Sequence, residues 1–129
     1  MITKNFGMGE MSCNCGCDAH LAPSIKDNII KWTPWLQRIR DHFGVPISIN
    51  SAVRCPRHNG RVGGSPRSQH LSGLAFDLHV HGIDPDEVAS YIEGKMDSGD
   101  FPPGGVGRYD TFTHVDFRGR PARWDYRSS

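Results

Sequence analysis

Ser68-Gln-His70-Leu-Ser-Gly-Leu-Ala-Phe-Asp77 is the stretch on which the reading turns. It sets an imidazole and a carboxylate seven residues apart, with Gly73 between them, and runs into the strand-like Leu74–Val80. Further on, Thr113-His114-Val-Asp116-Phe117 supplies a second histidine in another short strand pattern. Two histidines and one carboxylate form a familiar zinc set, with three protein ligands and a fourth position for water. Successive side chains on a strand point to opposite faces. Phe76, Leu78 and Val80 therefore share a core face, and Asp77 shares the other with His79. In the later segment Thr113, Val115 and Phe117 share one face; Phe112, His114 and Asp116 share the opposite one. If the two strands are neighbours, Asp77 and His114 meet on one polar face, and His70 reaches them from the preceding loop. The alternative is a polar sheet face with incidental histidines, of which the chain has seven.

The rest of the chain bounds the setting. Its 129 residues suffice for one domain with a real core and are too few for two ordinary ones. With 36% hydrophobic residues, 15 glycines and 9 prolines, a small, loop-rich α+β domain spanning residues 1–129 is expected. A formal net charge of +1 gives no electrostatic reason for a nucleic-acid partner. No apolar run approaches the roughly 18 residues of a membrane span, and Met1-Ile-Thr-Lys-Asn-Phe-Gly lacks the apolar core of a secretory leader. The expectation is a monomer made in the cytoplasm, away from membranes, that another factor must deliver if it works outside.

Residues 1–20 read as an irregular, cysteine-rich arm. Residues 24–43 carry apolar residues near a 3.6 period, with Ser24 as N-cap and Gly44 as terminator. Thr33-Pro34 resembles a fresh N-cap and first turn, which predicts a break or kink there. Residues 45–54 alternate as a strand. Residues 55–67 read as loop because of their glycines and prolines. Asp84 caps a helix running to about Met96, and a Gly/Pro-rich loop follows. Short strands are expected over 106–109 and 111–117, with an aromatic-anchored loop after Gly119. Cys13, Cys15 and Cys17 alternate with small or polar residues, and Cys55 stands alone in Cys55-Pro-Arg-His58. A second, structural metal site, one disulfide and free thiols are the three readings. The crowding suits a soft metal.

Ser51-Ala-Val-Arg54, Asn59, Gly63-Gly64, the Ser-x-His-x-x-Gly-x-Ala-x-Asp pattern at 68–77 and His114-Val-Asp-Phe-Arg118 together resemble the D-alanyl-D-alanine carboxypeptidase family of zinc peptidases. That family includes peptidoglycan-cleaving phage endolysins. The likeness covers about residues 45–118 and leaves out the cysteine-rich start. It implies an α+β fold of the hedgehog type, with a central antiparallel sheet and two or three flanking helices. It implies Zn²⁺ held by His70, Asp77 and His114. It also implies Arg54 polarising the scissile carbonyl or holding a substrate carboxylate, which suits a planar, permanently charged fork. Ser68 is a substrate-binding or turn-capping candidate. The implied substrate is a peptidoglycan peptide, cut during host lysis or from a phage particle. A zinc-containing binding module without catalysis is the rival. One position departs from the family: Thr111 stands where the family carries its acid/base carboxylate. Asp116, on the metal face two residues past His114, is the expected general base, with Asp110 as the alternative. His79 and His81 are weaker candidates.

Overall fold

The computed structural model describes residues 2–128, so Met1 of the arm and Ser129 of the expected 1–129 span lie outside the described residues. In chain order come α1 (Pro23–Phe43), β1 (Ile47–Ser51), α2 (Pro56–Arg61), β2 (Ala75–Val80), α3 (Pro85–Asp97), β3 (Gly105–Arg108), β4 (Thr113–Asp116) and β5 (Ala122–Asp125). The fold is α+β: three helices and one five-stranded sheet in the order β1-β2-β4-β3-β5. β1, β2, β4 and β3 pair antiparallel, and β5 joins the β3 edge in parallel.

β2 and β4 lie inside the sheet and carry most of its core face. Phe76, Leu78, Val80 and Val115 join one buried cluster with Ile29, Leu36 and Ile39 of α1 and with Val88 and Ile92 of α3. Each such side chain contributes about 1.5–3 kcal/mol of burial. Trp32 stacks on Phe117 at 4.8 Å with planes 1° apart, which ties α1 to the end of β4. The Thr113 hydroxyl donates to the Pro85 carbonyl at 2.9 Å, fixing β4 against the start of α3. Asp84 caps α3 by accepting from the Asp86 amide at 2.9 Å, as its sequence suggests.

Four local expectations change. Ala22, not Ser24, caps α1, because Pro23 occupies its first turn. α1 runs through Pro34 without ending. Thr33 is fully buried, and its hydroxyl donates back to the Ile29 carbonyl at 2.6 Å instead of capping a new helix. The missing Pro34 N–H leaves the Ile30 carbonyl without its helical partner, but Ile30 lies on the solvent side, 46% exposed. Burial of Ile29, Thr33, Leu36 and Ile39 on one face outweighs that loss. The expected 55–67 loop contains α2, which Cys55 caps through its sulfur, accepting from the His58 amide at 3.4 Å, with Pro56 in the first turn. Finally, the tail is not all loop: Ala122–Asp125 forms β5, since the β3 edge offers unpaired backbone groups. Among the described residues, no helix is long and apolar enough to cross a membrane.

Candidate metal centre

The site is built from two paired strands and one turn. Asp77 and His114 are direct cross-strand partners in the β2–β4 register, and Ala75 faces Asp116. His70 arrives from a 3-10 turn, Gln69–Ser72, which Ser68 caps by accepting from the His70 amide at 3.2 Å. The three candidate ligands converge in burial: His70 is 2% exposed, Asp77 6% and His114 7%.

Each imidazole is pinned by one nitrogen and presents the other. His70 Nδ1 donates to the Ala52 carbonyl at 2.6 Å, so its bare Nε2 faces Asp77 Oδ1 at 3.3 Å. That buried Nε2 has no hydrogen-bond partner. His114 Nε2 donates to Asp116 Oδ2 at 2.8 Å, leaving Nδ1 towards Asp77 Oδ1 at 2.9 Å. Three ligand atoms thus lie within 4.8 Å of one another. For bonds of about 2.0–2.2 Å, the edge of a tetrahedron is roughly 3.3–3.6 Å, so the donor set fits Zn²⁺. The orphaned Nε2 is the group that a cation would satisfy, and metal-bound histidines are usually fixed by a hydrogen bond from the other nitrogen.

Electrostatics follow from the packing. Burial alone would raise the Asp77 carboxyl, but the His114 and His70 imidazoles beside it outweigh burial and hold Asp77 well below the usual carboxylate range. Burial alone would lower His114, but Asp116 and Asp77 on its two nitrogens raise it. Arg54 lies beside the cluster. Its Nη2 donates to Asp77 Oδ2 at 3.5 Å and its Nη1 to Asn59 Oδ1 at 3.2 Å. A Cβ on Gly64 would stand 2.1 Å from Asn59 Oδ1 and 2.9 Å from Arg54 Nη1, so this clamp requires a glycine.

Asp116, the expected general base, has its carboxylate engaged on both oxygens. It shares the His114 face as alternation predicts, but it is fully buried. Its Oδ1 accepts from the Gly105 amide at 2.9 Å and Arg118 Nε at 2.8 Å; its Oδ2 accepts from Arg118 Nη2 at 2.7 Å and from His114. Burial would raise its pKa, yet these donors, Arg118 first, hold it well below the ordinary carboxylate range. Both oxygens are taken, so the geometry is that of a group orienting His114. Asp110, the alternative, lies apart from the His70–Asp77–His114 cluster. It is exposed, outside the cleft lining, and accepts from the Ser128 amide and hydroxyl at 3.1 and 2.6 Å. His79 and His81 are exposed and occupied with the Thr111 carbonyl and the Ser48 hydroxyl.

The cluster floors a cleft of about 630 Å³. Arg54, Gly64, Ser68 and Gln69 line it together with Tyr109, Phe112, Arg118 and Trp124. Tyr109, Arg118 and Trp124 are among those with no role assigned from the sequence. β5 sets Trp124 opposite Gly107, where the indole lies 4.8 Å from the His114 ring and donates to the Tyr109 hydroxyl at 2.9 Å. Arg118 packs over the Trp124 ring at 5.5 Å while holding Asp116. Burial raises the Tyr109 phenol, more than the Trp124 N–H lowers it, and the Asp77 charge adds to the rise. The available signal was the clustering of Arg and aromatic residues after His114, which needs β5 to acquire meaning.

Such a centre, two pinned imidazoles and a carboxylate under an open cleft, is the kind on which metal-dependent hydrolases are built. The chain belongs to the Peptidase M15 family, whose family model matches residues 4–116. Its members are zinc-dependent metallopeptidases. The match begins at residue 4 and takes in the cysteine-rich arm, which the resemblance over 45–118 left out. No curated protein matches the chain.

Proposed function

We propose that this metallopeptidase hydrolyses a peptide bond in bacterial peptidoglycan stem peptides or cross-links, at the cell wall, in a phage- or prophage-associated setting. The observation that carries the reading is the convergence of His70, Asp77 and His114 beside the Arg54 guanidinium on one cleft floor. His70, Asp77 and His114 would hold Zn²⁺, which supplies Lewis acidity and lowers the pKa of bound water towards about 7. Ala52 and Asp116 fix the two imidazoles so that Nε2 of His70 and Nδ1 of His114 face inward. Arg54 presents its fork to a peptide carbonyl or a terminal carboxylate of the substrate. The Tyr109 hydroxyl accepts from Trp124, so its own proton is free to donate into the cleft, where it would stabilise the oxygen that gains charge.

One observation favours the rival, a zinc-containing binding module of the same fold. Among the described residues, Asp77 is the only carboxylate lining the cleft, and the acid/base position of the resembled family holds Thr111. Incubation of purified protein with cell walls, with and without a zinc chelator, separates the two. Chelator-sensitive release of peptidoglycan fragments, identified by mass spectrometry as products of one peptide bond, supports the peptidase. Zinc-loaded protein that binds walls and releases nothing leaves the binding module.

A further inference from the structure

The second cluster of chemistry lies in the arm. Cys13, Cys15 and Cys17 follow one another in a tight turn, closed by the Gly16 amide donating to the Cys13 carbonyl at 3.0 Å. Gly16 has a φ of 87°, a conformation that side chains resist. The turn therefore winds back and brings alternate sulfurs to one side. Cys55 meets them from the start of α2, 42 residues along the chain from Cys13.

The sulfurs are neither bonded to each other nor scattered. None of the four forms a disulfide. Sγ of Cys13 lies 3.3 Å from that of Cys15 and 3.9 Å from that of Cys55, and Cys15 is 3.6 Å from Cys55. All four lie within 4.8 Å of one another. Zn–S bonds of about 2.3 Å place tetrahedral sulfurs about 3.8 Å apart, within the span of these separations. Two backbone amides also point at sulfur: Cys55 N donates to Cys13 Sγ at 3.5 Å and His58 N to Cys55 Sγ at 3.4 Å. Amide donors of this kind stabilise thiolate over thiol, the form that binds metal.

We infer that Cys13, Cys15, Cys17 and Cys55 hold a second Zn²⁺, a closed four-thiolate structural site distinct from the His–Asp–His centre. Four soft ligands with no open position match structural zinc rather than catalysis. The site's purpose is legible in what it fastens. The segment ending at Cys55 supplies the Ala52 carbonyl that pins His70 and carries Arg54, whose amide donates to the His70 carbonyl at 3.0 Å. The arm grips the same segment through Val53 N to the Met11 carbonyl at 3.3 Å and Asn14 Nδ2 to the Asn50 carbonyl at 2.9 Å. An irregular arm gains little stability from its own backbone, and a metal staple is the usual remedy in a small domain.

The inference is independent of the peptidase reading, and metal analysis tests it without an activity assay. Full-length wild type should carry two zinc ions per chain. Cys15→Ser with Cys17→Ser should carry one, and so should His70→Ala, each losing a different ion. In denaturant with chelator all four thiols should titrate. In native protein they should resist alkylation until chelator is added. Should the double cysteine variant fail to fold, cobalt(II) added to metal-depleted wild type must give intense thiolate-to-cobalt charge-transfer bands, retained in His70→Ala. One zinc per chain that ignores the cysteines, iron in place of zinc, two thiols missing under denaturing conditions, or no charge-transfer bands would each overturn the assignment.

Discussion

Replacing Asp116 by asparagine keeps the side chain's shape and removes its charge. Asp116 accepts from His114 Nε2 at 2.8 Å and from Arg118 at 2.7 and 2.8 Å, with no exposure of its own. Hydrogen bonds to charged groups contribute about 1.5–3 kcal/mol each, and breaking a buried ion pair by changing one partner costs about 3–5 kcal/mol. Arg118 is 20% exposed at its side chain and can recover some hydration, so the lower end applies, about 3 kcal/mol. The effect on the metal is more specific. Asparagine placing its NH₂ at the Oδ2 position donates to His114 Nε2, which must then give up its proton. The proton moves to Nδ1, the atom needed inward. Zinc affinity should fall about 10–100-fold, the usual consequence of losing a group that orients a metal-bound histidine. Urea unfolding in chelator measures the first effect, and competition against a chromophoric chelator measures the second. Wall hydrolysis at saturating zinc should recover much of its rate. If Asp116→Asn instead binds zinc as tightly as wild type and loses about 10²–10⁴-fold in hydrolysis at every zinc concentration, Asp116 is the general base and the reasoning fails.

Asp110→Asn should leave zinc content and hydrolysis near wild type, because that carboxylate is spent on Ser128; a large loss of rate with zinc retained would make it the base. Tyr109→Phe removes the phenol proton beside Trp124 at the cleft, and hydrolysis should drop about 10²–10³-fold with zinc retained; unchanged kcat/KM would remove Tyr109 from the chemistry. Gly64→Ala drives a Cβ into Asn59 and Arg54, so it should cost about 1–3 kcal/mol and up to about 10²-fold in rate with zinc unchanged, checked by thermal unfolding and kinetics. The pH response of metal-free protein carries a sign. Asp116 is held below its unfolded value, so its contribution is present above the unfolded carboxylate pKa and is lost as the pH falls through the folded one. The stability gap between wild type and Asp116→Asn should therefore shrink progressively below about pH 4, and a gap that widens there would contradict the pairing.

The sequence by itself determined the parts whose information is local. Alternation put Asp77 and His114 opposite the core residues Phe76, Leu78 and Val115, and the β2–β4 pairing makes them partners across the strands. The helices over α1 and α3, the cap at Asp84 and the left-handed Gly44 end follow from periodicity and short-range capping chemistry. Tertiary structure decided what depends on residues far apart in the chain. Pro34 failed to break α1 because long-range burial of one helix face exceeds the loss of one hydrogen bond. The tail became β5 only because the β3 edge was there to pair with it, and that pairing brought Trp124 over His114. Alternation also placed Asp116 on the metal face, but it could not show that Arg118, two residues on, and the Gly105 amide would fill its oxygens. The four cysteines were visible as residues; that Cys55 closes on the arm is a matter of how the chain returns on itself, because a sulfur cluster is set by distances in space and not by spacing in sequence.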